Sequence, residues 1–396
     1  MNKKLHLIII AAVAALMTAC NSDSDLPLTH PDGYGEIQFS IGSGSIPAVT
    51  RAGEGTPGLT YVPYDSIRDP RTMGVFGWYE LDGTTFSKAA NRMFNNVCNT
   101  AHYDVGADVT VWEYEGKKYW IDYLEKSPFD FFGYMPYNEN VTIATTDNAD
   151  EYKLTMPVEF PDGATFSPVE TALLCAKPIH KVQPEGTIPF YMDQTLTGYT
   201  LVFQLGEKMD SIRDFMIKDV KVYGESLAYK GDVSRTYTWE GLEWTAGDIT
   251  WANVDTKDVD VADAVSVPYL NNGGDSIPEY YIDPTVEADL VPARPGMLRV
   301  TNHPVQWGTP IYVIPTDEFA PVFEVTYDVV VQNEDNADVV TRENIKSTIS
   351  FSSTYFQAFT KGRMGDTHKI RVKIVPDHLY VLADADQTFG YIPLND

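Results

Sequence analysis

The sequence predicts an all-β protein built as two antiparallel β-sandwich domains with only short helices. Three observations carry that prediction. Apolar and polar residues alternate with a period of two in many short segments, while amphipathic helical spacing is scarce. Aromatic residues make up 12% of the chain, and 28 Gly and 25 Pro punctuate it, as strands and frequent turns require. A length of 396 residues is enough for two domains of ordinary size.

Taken in chain order, Ile37, Phe39 and Ile41 alternate with Glu36, Gln38 and Ser40, a strand with one apolar face. Residues 87–97 read as a short helix. Trp112 to Trp120 reads as a hairpin turning at Glu115-Gly116-Lys117, and Phe129 to Met135 as a core strand. Lys177-Pro178 and Gln183-Pro184-Glu185-Gly186 suggest a connection between domains 52–180 and 181–396. Beyond it, alternation in 199–205, 220–224, 311–315, 322–331 and 369–374 marks further strands. The polar stretch 252–295 reads as loops inserted in the second domain.

The N-terminus carries an address. Lys3 and Lys4 precede an apolar run from Leu5 to Leu16, too short to span a bilayer, and Leu16-Met17-Thr18-Ala19-Cys20 follows. This is a signal peptide over 1–20 ending in a lipobox, with Cys20 as the lipidated first residue of an exported chain. The net charge of −27 becomes more negative once Lys3 and Lys4 are removed, and such a surface repels nucleic acid. Cys98 and Cys175 are left. A disulfide between them is permitted outside the cytoplasm, but their apolar neighbours favour two buried thiols.

Nothing nominates an active site. The 7 His form no zinc-type pair, and no nucleophile elbow, phosphate loop or dinucleotide fingerprint is present. No catalytic, cofactor or metal residue is assigned. Acidic runs at 258–260, 334–336 and 384–386 lack the spacing of a calcium loop and read as polar turns. Asp65-Ser66-Ile67 recurs as Asp210-Ser211-Ile212 and Asp275-Ser276-Ile277. This triplet resembles the O-glycosylation acceptor of exported Bacteroidetes proteins, with Ser66, Ser211 and Ser276 as attachment points.

A family resemblance rests on ordered motifs. Lys118-Tyr119-Trp120 followed by Pro128-Phe129-Asp130-Phe131-Phe132-Gly133-Tyr134-Met135-Pro136 resembles the Tyr-Trp…Phe-Phe-x-Tyr-x-Pro signature of the Bacteroidales fimbrillin family. Thr171 to Ala176, Ile188 to Phe203, Tyr312 to Pro315 and Lys369 to Val372 resemble later segments of that family in the same order. The family's usual His in the second-domain strand is replaced around Asp193-Gln194.

The resemblance implies two tandem transthyretin-like β-sandwiches and a non-enzymatic subunit of a type V pilus. It implies export as a lipoprotein held to the outer membrane by Cys20, on the cell surface and in the fimbrium. An Arg-specific protease then removes a propeptide, here 21–51, by cutting between Arg51 and Ala52. The strand bearing Ile37, Phe39 and Ile41 leaves with it, and a strand from another fimbrial subunit fills the groove by β-augmentation. Leu379 to Leu382 and Phe389 to Ile392 are candidate donor segments. One rival is a surface glycan-binding lipoprotein, which asks for exposed Trp among Trp239, Trp244 and Trp251. Another, a glycosidase, asks for two converging carboxylates that the sequence does not single out.

Overall fold

The computed structural model describes residues 35–42, 71–104, 109–167, 172–206, 214–267, 281–282, 290–291, 297–300, 302–316, 320–332, 338–350, 367–375, 378–383 and 392–393. The strands are β1 (Phe39–Ile41), β2 (Thr72–Tyr79), β3 (Arg92–Asp104), β4 (Val109–Tyr114), β5 (Phe129–Met135), β6 (Thr142–Thr145), β7 (Glu151–Glu159) and β8 (Leu173–Cys175). Then come β9 (Ile179–Lys181), β10 (Ile188–Phe190), β11 (Met192–Gln194), β12 (Thr197–Leu205), β13 (Asp214–Trp239), β14 (Trp244–Val259), β15 (Val265–Ser266) and β16 (Tyr281–Ile282). The chain continues through β17 (Leu290–Val291), β18 (Leu298–Val300), β19 (Val305–Val313), β20 (Ala320–Gln332), β21 (Asp338–Ser350), β22 (Thr367–Val375), β23 (His378–Ala383) and β24 (Ile392–Pro393). The protein is an all-β sandwich.

Three sheets bury two cores. One runs β11-β8-β5-β2-β3-β4, with β9 on β5; another runs β19-β12-β22-β23-β24. The third, β21-β20-β13-β7-β6, is shared, because β13 changes neighbours along its length. Its first half pairs with β20 and its second half with β7 and β14. The first core lies between the second half of β13, with β7 and β14, and the β2-β3-β5-β8 sheet. Phe131, Phe132, Tyr152 and Tyr237 fill it. The second lies between the first half of β13, with β20, and the β12-β19-β22 sheet, and Phe203, Ile217, Val325 and Val372 fill it. The first core draws on residues both before and after position 180.

The alternating segments of the sequence become strands with the expected inward faces. In β7 the buried positions are Tyr152, Leu154, Met156 and Val158, one residue in two. β5 is buried at all seven positions because it is covered on both faces.

Three local expectations are corrected. Residues 87–97 keep only a 3-10 turn at Ala89–Asn91, and β3 begins at Arg92. Phe94 is needed in the first core, where its ring meets Phe39 and Phe131, so packing overrides helix propensity. Residues 112–120 form no hairpin. Gly116 does turn the chain at a φ of 71°, but the returning segment bridges Glu36 to Tyr119 instead of β4. In 252–295, the first eight residues belong to β14 and pair with β13. The acidic run at 258–260 ends that strand, and Asp258 accepts the Ser226 N–H. Cys175 is buried and Cys98 half-buried, both as thiols.

Candidate functional site

The segment nearest the N-terminus among the described residues is a plug. Residues 35–42 lie in a slot of the first core. On one side β1 runs parallel to β10, with Phe39 opposite Ile188 and Ile41 opposite Phe190. The Ile188 N–H donates to Gln38 O at 2.8 Å, and the Gly42 N–H to Phe190 O at 2.8 Å. On the other side the Ile37 N–H donates to Lys118 O at 2.8 Å, and the Trp120 N–H to Gly35 O at 3.2 Å. The inserted segment is therefore hydrogen-bonded to 118–120 through Gly35 and Ile37 and, on its other side, to β10 from Gln38 to Gly42.

The floor of the slot is aromatic. Ile37 is 0% and Phe39 3% exposed, while Ile41 is partly buried at the open end. The Phe39 ring meets Phe94 at 5.1 Å edge-on, Tyr114 at 5.8 Å, and Phe131 at 6.1 Å, and it stacks on Phe190 at 6.0 Å. Gly133 makes this possible. A Cβ there would lie 2.9 Å from the Phe190 ring, so only a residue without one lets Phe190 lie flat against β5 and meet Phe39. Gly133→Ala is expected to destabilise the fold by about 1–3 kcal/mol, read as a lower midpoint in urea unfolding.

Polar contacts fix the register. The Tyr114 hydroxyl donates to Ile37 O at 2.8 Å. Burial pushes that hydroxyl well above its ordinary value, so it keeps its proton. Lys117 Nζ lies 2.9 Å from the Glu36 carboxylate, whose side chain is 5% exposed. The hydrogen bond to Glu36 holds the Lys117 ammonium above its ordinary value. The Trp120 indole closes the end of the slot by donating to Gly186 O at 3.0 Å.

Sequence reasoning singled out Ile37, Phe39 and Ile41 but missed Tyr114, Lys117, Gly133 and Phe190. The glycine inside Phe-Phe-Gly-Tyr was the available signal, since a strand interior holds Gly where another group approaches closely. Cys20, Arg51, Ala52, Ser66, Ser211 and Ser276 lie outside the described residues. The candidate donor segments are paired within the chain where they are described: β23 with β22, and β24 with β23.

Of the three Trp that a glycan platform asks for, none is fully exposed. Trp244 is buried and donates to Asp130 at 2.7 Å, while Trp239 and Trp251 are half-buried. Among the described residues no His, Cys, Asp and Glu group is placed to hold a metal ion, and no helix is long and apolar enough to cross a membrane.

Fold and slot together define an all-β sandwich protein with the 35–42 segment inserted in its first core. The solved structures it is similar to include a fimbrial protein from Bacteroides vulgatus, at 14% identity and a TM-score of 0.45, covering 88% of this chain and 98% of that one. A Bacteroides uniformis protein provisionally assigned to cell adhesion is similar at 12% identity and a TM-score of 0.39, covering 90% and 98%. One of the same description from Bacteroides ovatus is similar at 12% identity and a TM-score of 0.38, covering 88% and 95%. No family model matches the sequence, and no curated protein does.

Proposed function

We propose that this chain is a structural subunit of a cell-surface fimbria, exported as a lipoprotein on Cys20 and assembled by strand exchange. The observation that carries the reading is the plug itself. A short strand contributes two fully buried apolar side chains and is hydrogen-bonded on both edges. It also lies upstream of Arg51, which stands ten residues beyond Ile41. Cutting between Arg51 and Ala52 would sever the plug and its lipid from the rest of the chain. The vacated slot would expose four aromatic rings and two rows of unpaired backbone groups, and an extended strand of another subunit replaces both. Outer-membrane attachment is then temporary, and the partners are an Arg-specific protease and neighbouring subunits.

The test is Arg51→Ala expressed in the native host. Residues 21–51 are expected to stay on the chain, and high-mass polymers are expected to vanish from gels of surface extracts. Polymer ladders identical to the wild type would overturn the reading.

A further inference from the structure

Three adjacent strands bring an amine, a carboxylate and a carboxamide to one point, and their bulges aim them there. Lys218 is the extra residue on β13, where the pairing with β20 jumps from Ile217 opposite Tyr327 to Asp219 opposite Thr326. On the other side of β20, the pairing with β21 jumps from Tyr327 opposite Ile345 to Val329 opposite Arg342. Glu343 and Asn344 thus stand opposite the single Asp328, and Asn344 takes a φ of +53°, uncommon for a residue with a side chain. Two bulges at one level, on either side of one strand, re-aim side chains in the way bulges do beside reactive sites.

The resulting contacts are close. Lys218 Nζ lies 2.9 Å from Asn344 Oδ1 and 3.3 Å from Asp328 Oδ1 and Oδ2. Asp328 is 2% exposed, and its Oδ1 also accepts the Asn344 backbone N–H at 2.8 Å. The carboxylate therefore holds both reacting partners, and the Asn344 side-chain carbon is one bond beyond the oxygen that Lys218 already touches. A plain ion pair would satisfy Asp328 with Lys218 alone. It would not call for the second bulge or the left-handed backbone of Asn344.

We propose that Lys218 and Asn344 join in an intramolecular isopeptide bond, with Asp328 as the proton carrier. Asp328 takes a proton from the Lys218 ammonium. The freed amine attacks Cγ of Asn344, forming the Nζ–Cγ bond. The Cγ–Nδ2 bond breaks as Asp328 returns the proton to the departing nitrogen; Asp328 then takes the second proton that Nζ sheds on becoming an amide and passes it to the released ammonia, which leaves as ammonium to the solvent that Asn344 faces. No oxidant, metal or cofactor is needed. Fixed geometry stands in for a high concentration of amine. The product would staple β13 to β21 across β20, a covalent tie over three strands of the shared sheet.

Tryptic mapping of the full chain decides the matter. The expected product is peptide 343–346 joined to peptide 214–221, uncut at Lys218 and about 17 Da lighter than the two parts for the ammonia lost. Free peptide 343–346 is expected to fall at least about tenfold against neighbouring peptides. Asp328→Ala and Lys218→Arg are each expected to restore it in full. Smaller depletion in the wild type, or a gain of about 1 Da on 343–346 from simple hydrolysis of the amide, would overturn the proposal. So would a cross-link that survives Asp328→Ala. The wild-type map stands by itself if a variant does not fold.

Discussion

Asp193→Ala is expected to lower the stability of the fold by about 3–5 kcal/mol. Asp193 sits on β11 and Arg235 on β13; they are 4% and 7% exposed, with Arg235 Nη1 2.5 Å from Asp193 Oδ2. The guanidinium also donates from Nε to Gly247 O at 3.0 Å and from Nη1 to Cys175 O at 3.3 Å. One ion pair therefore ties β8, β11, β13 and β14 together beneath the first core. Removing the carboxylate leaves a buried cation with two carbonyls and the face of the Tyr237 ring but no counter-charge, and an uncompensated buried charge is among the most costly single defects. Against a typical stability of about 5–15 kcal/mol, the loss is large. The measurement is the urea midpoint of Asp193→Ala beside the double variant Asp193→Leu with Arg235→Met. The double variant is expected to recover most of the loss, because it removes both charges and keeps apolar volume. A single variant costing under about 1 kcal/mol would show that water reaches the pair.

Phe39→Ala is expected to loosen the plug without unfolding the sandwich. The substitution deletes a ring that meets four others, a change that costs about 3–5 kcal/mol in a packed core. The described attachments of the segment all lie within the slot, so the loss falls on its docking and not on the whole fold. The readout is hydrogen exchange at the Ile188 and Gly42 amides, which bond across the β1–β10 seam. Their exchange is expected to quicken by roughly a hundredfold to several thousandfold, at about tenfold per 1.4 kcal/mol. The Val233 and Tyr237 region of β13 is expected to keep its protection. Equal acceleration in both places would mean that β1 is an integral part of the core and not a detachable element.

These two positions were unequally legible in the sequence. Phe39 was visible, because Ile37, Phe39 and Ile41 alternate with polar residues, and period two is a local signal. Its partner was not. β10 pairs with it in parallel from about 150 residues further along, and no local pattern encodes a long-range parallel register. The pairing of Asp193 with Arg235 was likewise hidden, since one buried acid looks like any other among 56 Asp and Glu. The mistaken hairpin at 112–120 has the same cause. Trp112 and Trp120 flank a turn correctly placed at Gly116, yet the strand waiting for the returning chain is the N-terminal segment, through Glu36 and Ile37. The helix expected at 87–97 failed because Phe94 is worth more in the aromatic core than Ala89 and Ala90 are in a helix. The aromatic strand β5 was read correctly, because a run of apolar residues buried on both faces needs no long-range information.

The central claim is that the plug and the assembled subunit exclude each other. Its most direct test is the N-terminus of the chain recovered from cell-surface polymers, beside that of the unassembled chain. Ala52 is expected as the first residue in polymers, with the lipidated Cys20 confined to unassembled material. Polymers in which each subunit still carries the segment from Glu36 to Ile41 would contradict the account.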